Sequence, residues 1–272
     1  MNRLITTSKW PNGLSDPSGE RLLRPRTFGY TMVMDKGLGL QAFEDYLACV
    51  HEHIDILKLG FGTSALLPPS FIRAKTMLAK SYGLEIMPGG TLLEIAVAKG
   101  MVDDFFHMMK ETGFTVIEVS DGSITLSRSE RRSLICRAVE EGYTVCTEYG
   151  KKIAHYPFQI DDITETLLDD LAHGAQWMTL EGRESGINVG VFDSNGHCNG
   201  ELIGNILAAV PYPEKLMWEA PHKNQQLFIL QNAGVNANIG NVAYGDAIAL
   251  EALRRGLRAD TFLDHLAFYY EI

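Results

Sequence analysis

Cysteine is scarce in this 272-residue chain: only Cys49, Cys136, Cys146 and Cys198 occur. None stands in a CxxC pair or a Cys/His cluster. Neither a disulfide framework nor a structural zinc site is indicated, and the four read as reduced thiols of a cytoplasmic protein. No apolar run approaches the roughly 18 residues that span a bilayer. The N-terminal stretch MNRLITTSKWPNGLSDPSGE lacks the apolar segment of a secretory signal. Positive charge is also short: 24 lysines and arginines against 34 acidic residues leave a formal net charge of −10. Such a surface is not drawn to polyanions, so neither nucleic acid nor an anionic membrane is an expected partner, although a local basic pocket stays open. The GxSxG nucleophile elbow and HExxH are absent, and no Ser/His/Asp set stands out, which argues against hydrolysis by a triad. GxGxxG is missing too; Lys36-Gly37-Leu38-Gly39-Leu40 supplies only GxG.

What is present is a repeating alternation. Short β-rich runs cover Tyr30–Met34, Ile54–Leu59, Leu84–Met87, Val116–Val119, Thr144–Glu148, Trp177–Leu180, Leu216–Glu219 and, weakly, Val235–Asn238. Helical patterns fill the gaps. Leu40, Phe43, Leu47, Val50 and Ile54 recur at steps of three and four, as one buried helix face requires. Thr91 with Glu94, and Ser127 with Glu130, have capping-box spacing. Gly83, Gly113, Gly142, Gly174 and Gly234 stand where a helix would close before the next strand. Strand, helix, glycine, strand, eight times over, predicts a single (β/α)8 TIM barrel, with an open doubly wound sheet as the alternative. An irregular N-terminal arm is expected over residues 1–28 and one catalytic barrel domain over 29–272. The glycine- and asparagine-rich stretch from Glu181 to about Gly200 has the length of a lid loop.

In a barrel, chemistry sits where strands end. Those ends carry Asp35-Lys36-Gly37; Lys58 with Gly60-Phe61-Gly62-Thr63-Ser64; Gly89-Gly90-Thr91; Glu118 and Asp121; Glu148 with Gly150-Lys151-Lys152; Glu181 with Arg183; Glu219 with His222-Lys223; and Asn238 with Asn241. One charge after a strand usually means a solvated loop, but these ends converge on one face. Glu118, Glu148 and Glu181, near the ends of three consecutive strands, offer the oxygen donors Mg²⁺ prefers. They could equally pair with Lys58, Lys151 or Arg183, and Asp35, Asp121 and Glu219 are substitutes. Gly62, Thr63, Gly89 and Gly90 could present backbone N–H groups to an anion. Lys36, Lys58, Arg183 and Lys223 add positive charge, so an anionic small-molecule substrate is expected. Arg183 suits a bidentate clamp.

These words, in this order, resemble the phosphosulfolactate synthase family from about Arg24 to the C-terminus: DKGLG from Asp35, KLGFGTS from Lys58, PGGT from Pro88, EVSDGSI from Glu118, GKK from Gly150, EGRESG from Glu181, WEAPHKNQQ from Trp218 and NIGN from Asn238. The resemblance implies a barrel lyase that uses Mg²⁺ to add sulfite to phosphoenolpyruvate, forming a carbon–sulfur bond. The product would be (2R)-2-O-phospho-3-sulfolactate, on the route to coenzyme M or sulfolactate. It further implies a homo-oligomer and a proton-donor role for Lys151, and with the residue reading it makes Lys58 and Arg183 catalytic as well and gives substrate contacts to Lys36, Lys223 and Asn238. Two alternatives keep the barrel. One is a lyase adding a different nucleophile to an enol phosphate; the other is a non-catalytic, stress-associated relative.

Overall fold

A computed structural model describes residues 10–153 and 156–266, with no side-chain description for 263–266. Residues 1–9 of the expected arm and 267–272 of the expected barrel domain lie outside it. Eight parallel strands run β1 Thr31–Met34, β2 Ile56–Lys58, β3 Glu85–Met87, β4 Val116–Val119, β5 Thr144–Tyr149, β6 Trp177–Leu180, β7 Leu216–Glu219 and β8 Asn238–Ala243. Helices α1 Asn12–Ser15, α2 Leu40–Val50, α3 Pro69–Ser81, α4 Gly90–Lys99, α5 Val102–Thr112, α6 Arg128–Glu140, α7 Ile160–Ala172, α8 Gly200–Ala209, α9 Lys223–Ala233, α10 Ala247–Arg254 and α11 Ala259–Leu266 alternate with them. None of the described helices is long and apolar enough to cross a membrane.

The ladder runs β3-β2-β1-β8-β7-β6-β5-β4. The seam between β3 and β4 is narrow: Thr115 N–H donates to Ile86 O at 3.0 Å, and Thr115 Oγ1 accepts from Ile86 N–H at 2.9 Å. The (β/α)8 barrel expected from the alternation is therefore the observed architecture.

Strand side chains alternate between the barrel interior and the helix layer. Val33, Leu57, Ile117, Val145, Met178 and Trp218 face outward into the large core shared with the helices. Met32, Ile56, Met87, Val116, Cys146, Trp177 and Met217 face inward and plug the lower half of the barrel. Two residues further along β2, β4, β5 and β7 the interior becomes polar. Ile56 is followed by Lys58, Val116 by Glu118, Cys146 by Glu148, and Met217 by Glu219, all buried. The apolar layer thus forms a dry floor, and the charged layer stands on it at the C-terminal ends.

β8 departs from the expected position. It begins at Asn238, where the sequence pattern has it ending, and continues to Ala243. Asn238 therefore lies at the opposite end of the barrel from the expected substrate contacts. Its Oδ1 accepts from Gly29 and Tyr30 N–H at 2.7 and 2.9 Å, and its Nδ2 donates to Glu214 O and Leu216 O at 2.8 and 2.7 Å. The assignment of Asn238 to substrate is corrected: four backbone groups occupy its amide. Around it, Arg254, fully buried, donates to Val235 O, Ala237 O and Tyr30 O. Arg21 reaches Glu251 at 3.0 Å and Arg26 holds Asp55 at 2.9 Å, which ties the segment before β1 across the barrel bottom.

The segment 181–199 is not an open strap. Val189, Val191 and Phe192 are buried, and Gln225 Nε2 on α9 donates to Gly186 O and Gly196 O at 2.8 and 3.0 Å. His222 Nε2 lies 2.9 Å from Ser185 O. Of the two expected capping boxes, Ser127 with Glu130 forms. Glu94 instead turns inward and accepts from Ser120 Oγ, Gly122 N–H and Ser123 N–H at 2.6, 2.9 and 3.0 Å.

Replacing Asn238 with alanine strands two backbone donors and two acceptors. Urea unfolding should show a loss of about 2–4 kcal/mol. Ligand affinity of the folded protein should stay at the wild-type value, whereas a selective affinity loss at unchanged stability would restore Asn238 to the site.

Candidate active site

The charged layer lines a cavity of about 600 Å³ at the C-terminal ends of the strands. Lys58 rises from the floor on β2. Its Nζ lies 2.9 Å from Glu118, 3.2 Å from Glu219 and 3.9 Å from Glu148. Burial opposes its charge, but Glu118, Glu219 and Glu148 outweigh that penalty and hold the amine well above the ordinary lysine range. Lys58 is therefore an ammonium throughout the neutral range. Glu118 also accepts from Gly90 N–H at 2.7 Å. Burial, with Glu148 and Glu219, pushes the Glu118 carboxyl upward against the pull of Lys58.

Glu148, Glu181 and Glu219, all buried, can each place one oxygen within 4.8 Å of the others. Burial first, then Glu148 and Glu219, push the Glu181 carboxyl well above the carboxylate range. Glu148 moves the other way, because Lys152 and Lys58 outweigh its burial. Among the described residues, buried Glu148 Oε1 and Glu181 Oε2 receive no hydrogen bond from an amide, hydroxyl or amine, and the proton of a neutral Glu181 can be shared with Glu148. Glu148 Oε1 does lie 3.2 Å from Lys152 Nζ, a charge contact without hydrogen-bond alignment.

If all five were ionised, the buried Glu94, Glu118, Glu148, Glu181 and Glu219 would exceed the ammonium groups of Lys58 and Lys152 by three charges, and the raised Glu181 carboxyl answers part of that excess by keeping its proton until a cation replaces it. Uncompensated buried charge is expensive. A hard divalent cation with oxygen ligands fits this donor set, and Mg²⁺ would keep positions for water or substrate. The set differs from the expected one, because Glu219 takes the place of Glu118. The trio centres on Glu181 beyond β6, so its neighbours are the carboxylates of β5 and β7. Glu118, on β4, is drawn instead to Lys58 and the Gly90 amide.

The two lysines after β5 go to different places. Lys152 lines the cavity, with Nζ 3.2 Å from Glu148, 3.7 Å from Glu94, 3.8 Å from Glu181 and 3.3 Å from Thr91 Oγ1. Burial opposes its charge, but Glu148, Glu181 and Glu94 prevail and shift its pKa upward. Lys151 lies in a separate pocket beside Tyr149 and Arg131. There its Nζ donates to Asp121 Oδ2, Asp121 O and Ile124 O at 2.5, 2.7 and 2.9 Å, which uses all three of its hydrogens. The chain bends at Gly150, φ 120°, and again at Lys152, just beyond β5, and the two side chains leave it in different directions. Lys152, and not the expected Lys151, therefore presents its ammonium to the cavity.

Other expected contacts divide similarly. Gly89, Gly90 and Arg183 line the cavity. The Gly90 amide is already taken by Glu118, so it is not an anion donor. Gly62 and Thr63 lie outside the lining: Gly62 turns the chain at φ 67°, and Thr63 Oγ1 donates to Gly60 O at 2.7 Å. Lys223 lies outside it too, on the exposed start of α9, 2.8 Å from Asp260. Lys36 pairs with Glu184 and so links the loop after β1 to the mouth of the site without lining it. Met34 lines the cavity without having stood among the expected strand-end residues, and Phe61 and Asn241, which did, line it although no role was expected of them.

Over residues 19–260 the chain matches the family described as (2R)-phospho-3-sulfolactate synthase (ComA). The phosphosulfolactate synthase of Methanocaldococcus jannaschii is 41% identical over 236 residues, covering 86% of this chain and 94% of that protein. The phosphosulfolactate synthase of Methanothermobacter thermautotrophicus is 35% identical over 240 residues, covering 88% and 93%. Among solved structures, the YdjI aldolase of Escherichia coli K12 is similar at a TM-score of 0.54 and 12% identity, covering 89% of this chain and 90% of that one. At that identity it speaks for the fold alone.

The two candidate carboxylate sets make different predictions for metal binding. Titrated with Mn²⁺ and read by electron paramagnetic resonance, Glu219→Gln should weaken binding by about 10-fold or more. Glu118→Gln should weaken it less. The reverse order would return Glu118 to the ligand set.

Proposed function

The chain belongs to the phosphosulfolactate synthase family, and on that premise we propose that it adds sulfite to phosphoenolpyruvate to give (2R)-2-O-phospho-3-sulfolactate, with Mg²⁺ as its cofactor. The observation that carries this reading is the pairing, in one cavity, of a buried carboxylate trio with the ammonium groups of Lys58 and Lys152. Both substrates are anions, and bringing them together in a dry site is opposed by their mutual repulsion. Lys58 and Lys152 set fixed positive charge below them, and Arg183 adds a guanidinium at the mouth.

Glu148, Glu181 and Glu219 would hold the metal. Bound there, Mg²⁺ would supply positive charge against the carboxylate of phosphoenolpyruvate and offset part of the field that holds the Lys152 proton. The sulfur lone pair of sulfite forms the new bond at C3, and the C2–C3 π electrons move toward the carboxylate. Lys152 Nζ then delivers a proton to C2, and solvent restores the ammonium. No leaving group departs, so the phosphate ester survives into the product. Lys58 has a different part. Held by three carboxylates, it stays charged and fixes the orientation of Glu118 and Glu219. Electrostatic stabilisation by groups fixed in advance is the largest catalytic effect expected of such a site.

Purified protein incubated with phosphoenolpyruvate, sulfite and Mg²⁺ should consume phosphoenolpyruvate only when sulfite is present, with the adduct detected by mass spectrometry. Consumption with another nucleophile and none with sulfite would overturn the substrate assignment. Lys152→Met should lower kcat by about 10² or more. Lys151→Met should chiefly lower thermal stability. If Lys151→Met abolished turnover and Lys152→Met did not, the proton donor would be Lys151.

A further inference from the structure

β8 contains a bulge. Against β1, Thr31 pairs with Ile239 and Val33 with Val242, so Gly240 and Asn241 together oppose Met32. In a regular strand Ile239 and Val242, three residues apart, would face opposite sides. Here both face the outer core. The extra residue resets the alternation and turns Asn241 from the helix layer to the cavity, which is what a bulge does near an active site. Gly240 admits it: a Cβ there would lie 2.7 Å from Met32 Cε.

The backbone at Asn241 is left-handed, with φ 56°. Among the described residues, four that are not glycine have positive φ, and three of them, Phe61, Arg183 and Asn241, line this cavity. Strain of this kind persists where the surrounding fold enforces it, and it gathers at functional sites. Asn241 is 6% exposed. Its Nδ2 makes one long contact, 3.4 Å to Arg183 O, and its Oδ1 is buried with no partner among the described residues. A buried amide with unused hydrogen-bonding capacity in a ligand cavity is unusual.

We infer that Asn241 is a substrate-binding residue that, with Arg183, receives an oxyanion of the substrates: the phosphate of phosphoenolpyruvate or the sulfur oxyanion of sulfite. The acidic trio lies at the ends of β5 to β7, whereas Asn241 and Arg183 supply N–H donors on the β8 side of the cavity. Barrels commonly bind phosphate beside their last strands. The remaining amide hydrogen of Asn241 donates to the anion; Oδ1 accepts from a water or from a protonated oxygen of the ligand. The carbonyl contact ties the amide to the Arg183 backbone. This assignment rests on the function proposed above for the identity of the two anions, but not for the existence of the contact.

The test is calorimetric, without turnover. Phosphoenolpyruvate, inorganic phosphate and sulfite are titrated separately into Mg²⁺-loaded wild type, Asn241→Gly and Asn241→Asp. Glycine accepts positive φ without strain, so Asn241→Gly should keep the wild-type Tm while losing the amide. It should weaken at least one anion by about tenfold or more. Loss with phosphoenolpyruvate and phosphate identifies the phosphate; loss with sulfite alone identifies the sulfur oxyanion. Asn241→Asp, isosteric but negatively charged, should bind that anion more weakly still, with Mg²⁺ affinity unchanged. Unchanged affinity for all three anions in Asn241→Gly, wild-type binding by Asn241→Asp, or no anion binding by the wild type would overturn the inference. Anion binding that depends on Asn241 in a protein without sulfite-dependent turnover would leave the inference standing and remove the proposed reaction.

Discussion

The ion pairs of Lys58 are the interaction on which the site depends. One ammonium at the barrel floor touches carboxylates from β4, β5 and β7 at once. Without it, Glu118, Glu148 and Glu219 would face one another across a cavity with little water to screen them, and at that separation their repulsion would drive protons onto them. With it, two of the three are fixed in place by direct contact. Lys58 is itself kept ionised by them, so charge and geometry hold each other.

That network stands on the dry layer beneath it. Met32, Ile56, Met87, Val116, Cys146, Trp177 and Met217 fill the lower barrel, so the charged layer has neighbours of low polarity on one side and the open cavity on the other. Below this plug lies a second polar system, built from Asn238, Arg254, Arg21 with Glu251, and Arg26 with Asp55. It has a different purpose. Most of its polar atoms go to backbone groups and to each other, although Arg21 Nη2 and Arg254 Nε have no partner among the described residues, and it closes the barrel bottom and anchors the segment before β1. In the upper layer, buried oxygens of Glu148, Glu181 and Asn241 receive no hydrogen bond from an amide, hydroxyl or amine among the described residues. The two ends differ in what their charges meet: below, arginines meet backbone carbonyls and carboxylates, and above, acidic side chains outnumber the ammonium groups and face an open cavity.

The loops above the strands are shaped by the same economy. Glu94 leaves the helix cap that its spacing suggests and spends both oxygens on the loop after β4, with Lys152 at 3.7 Å. Gln225 pins the long segment after β6 through two carbonyls. Lys36 ties that segment to the loop after β1 through Glu184. Lys36, which looks like a ligand in the sequence, thus serves as a brace, and with Glu94 and Gln225 it holds the cavity wall for the residues that do line it.

The eight-fold alternation, the period-two switch from apolar to charged along β2, β4, β5 and β7, and the ordered strand-end words were legible in the sequence by itself, because each depends only on neighbours along the chain. They were enough to establish a barrel and its family, and to point to one charged end. Tertiary structure alone decided which of two adjacent lysines enters the cavity, because the loop after β5 bends at Gly150 and Lys152 and is held there by the loop after β4. It decided that Glu219 joins Glu148 and Glu181, because closure of the sheet sets which strand ends are neighbours across the interior. And it decided between Asn238 and Asn241, because a bulge at Gly240 and Asn241 shifts the alternation of β8 in a way visible in the sequence only as the odd spacing of Ile239 and Val242.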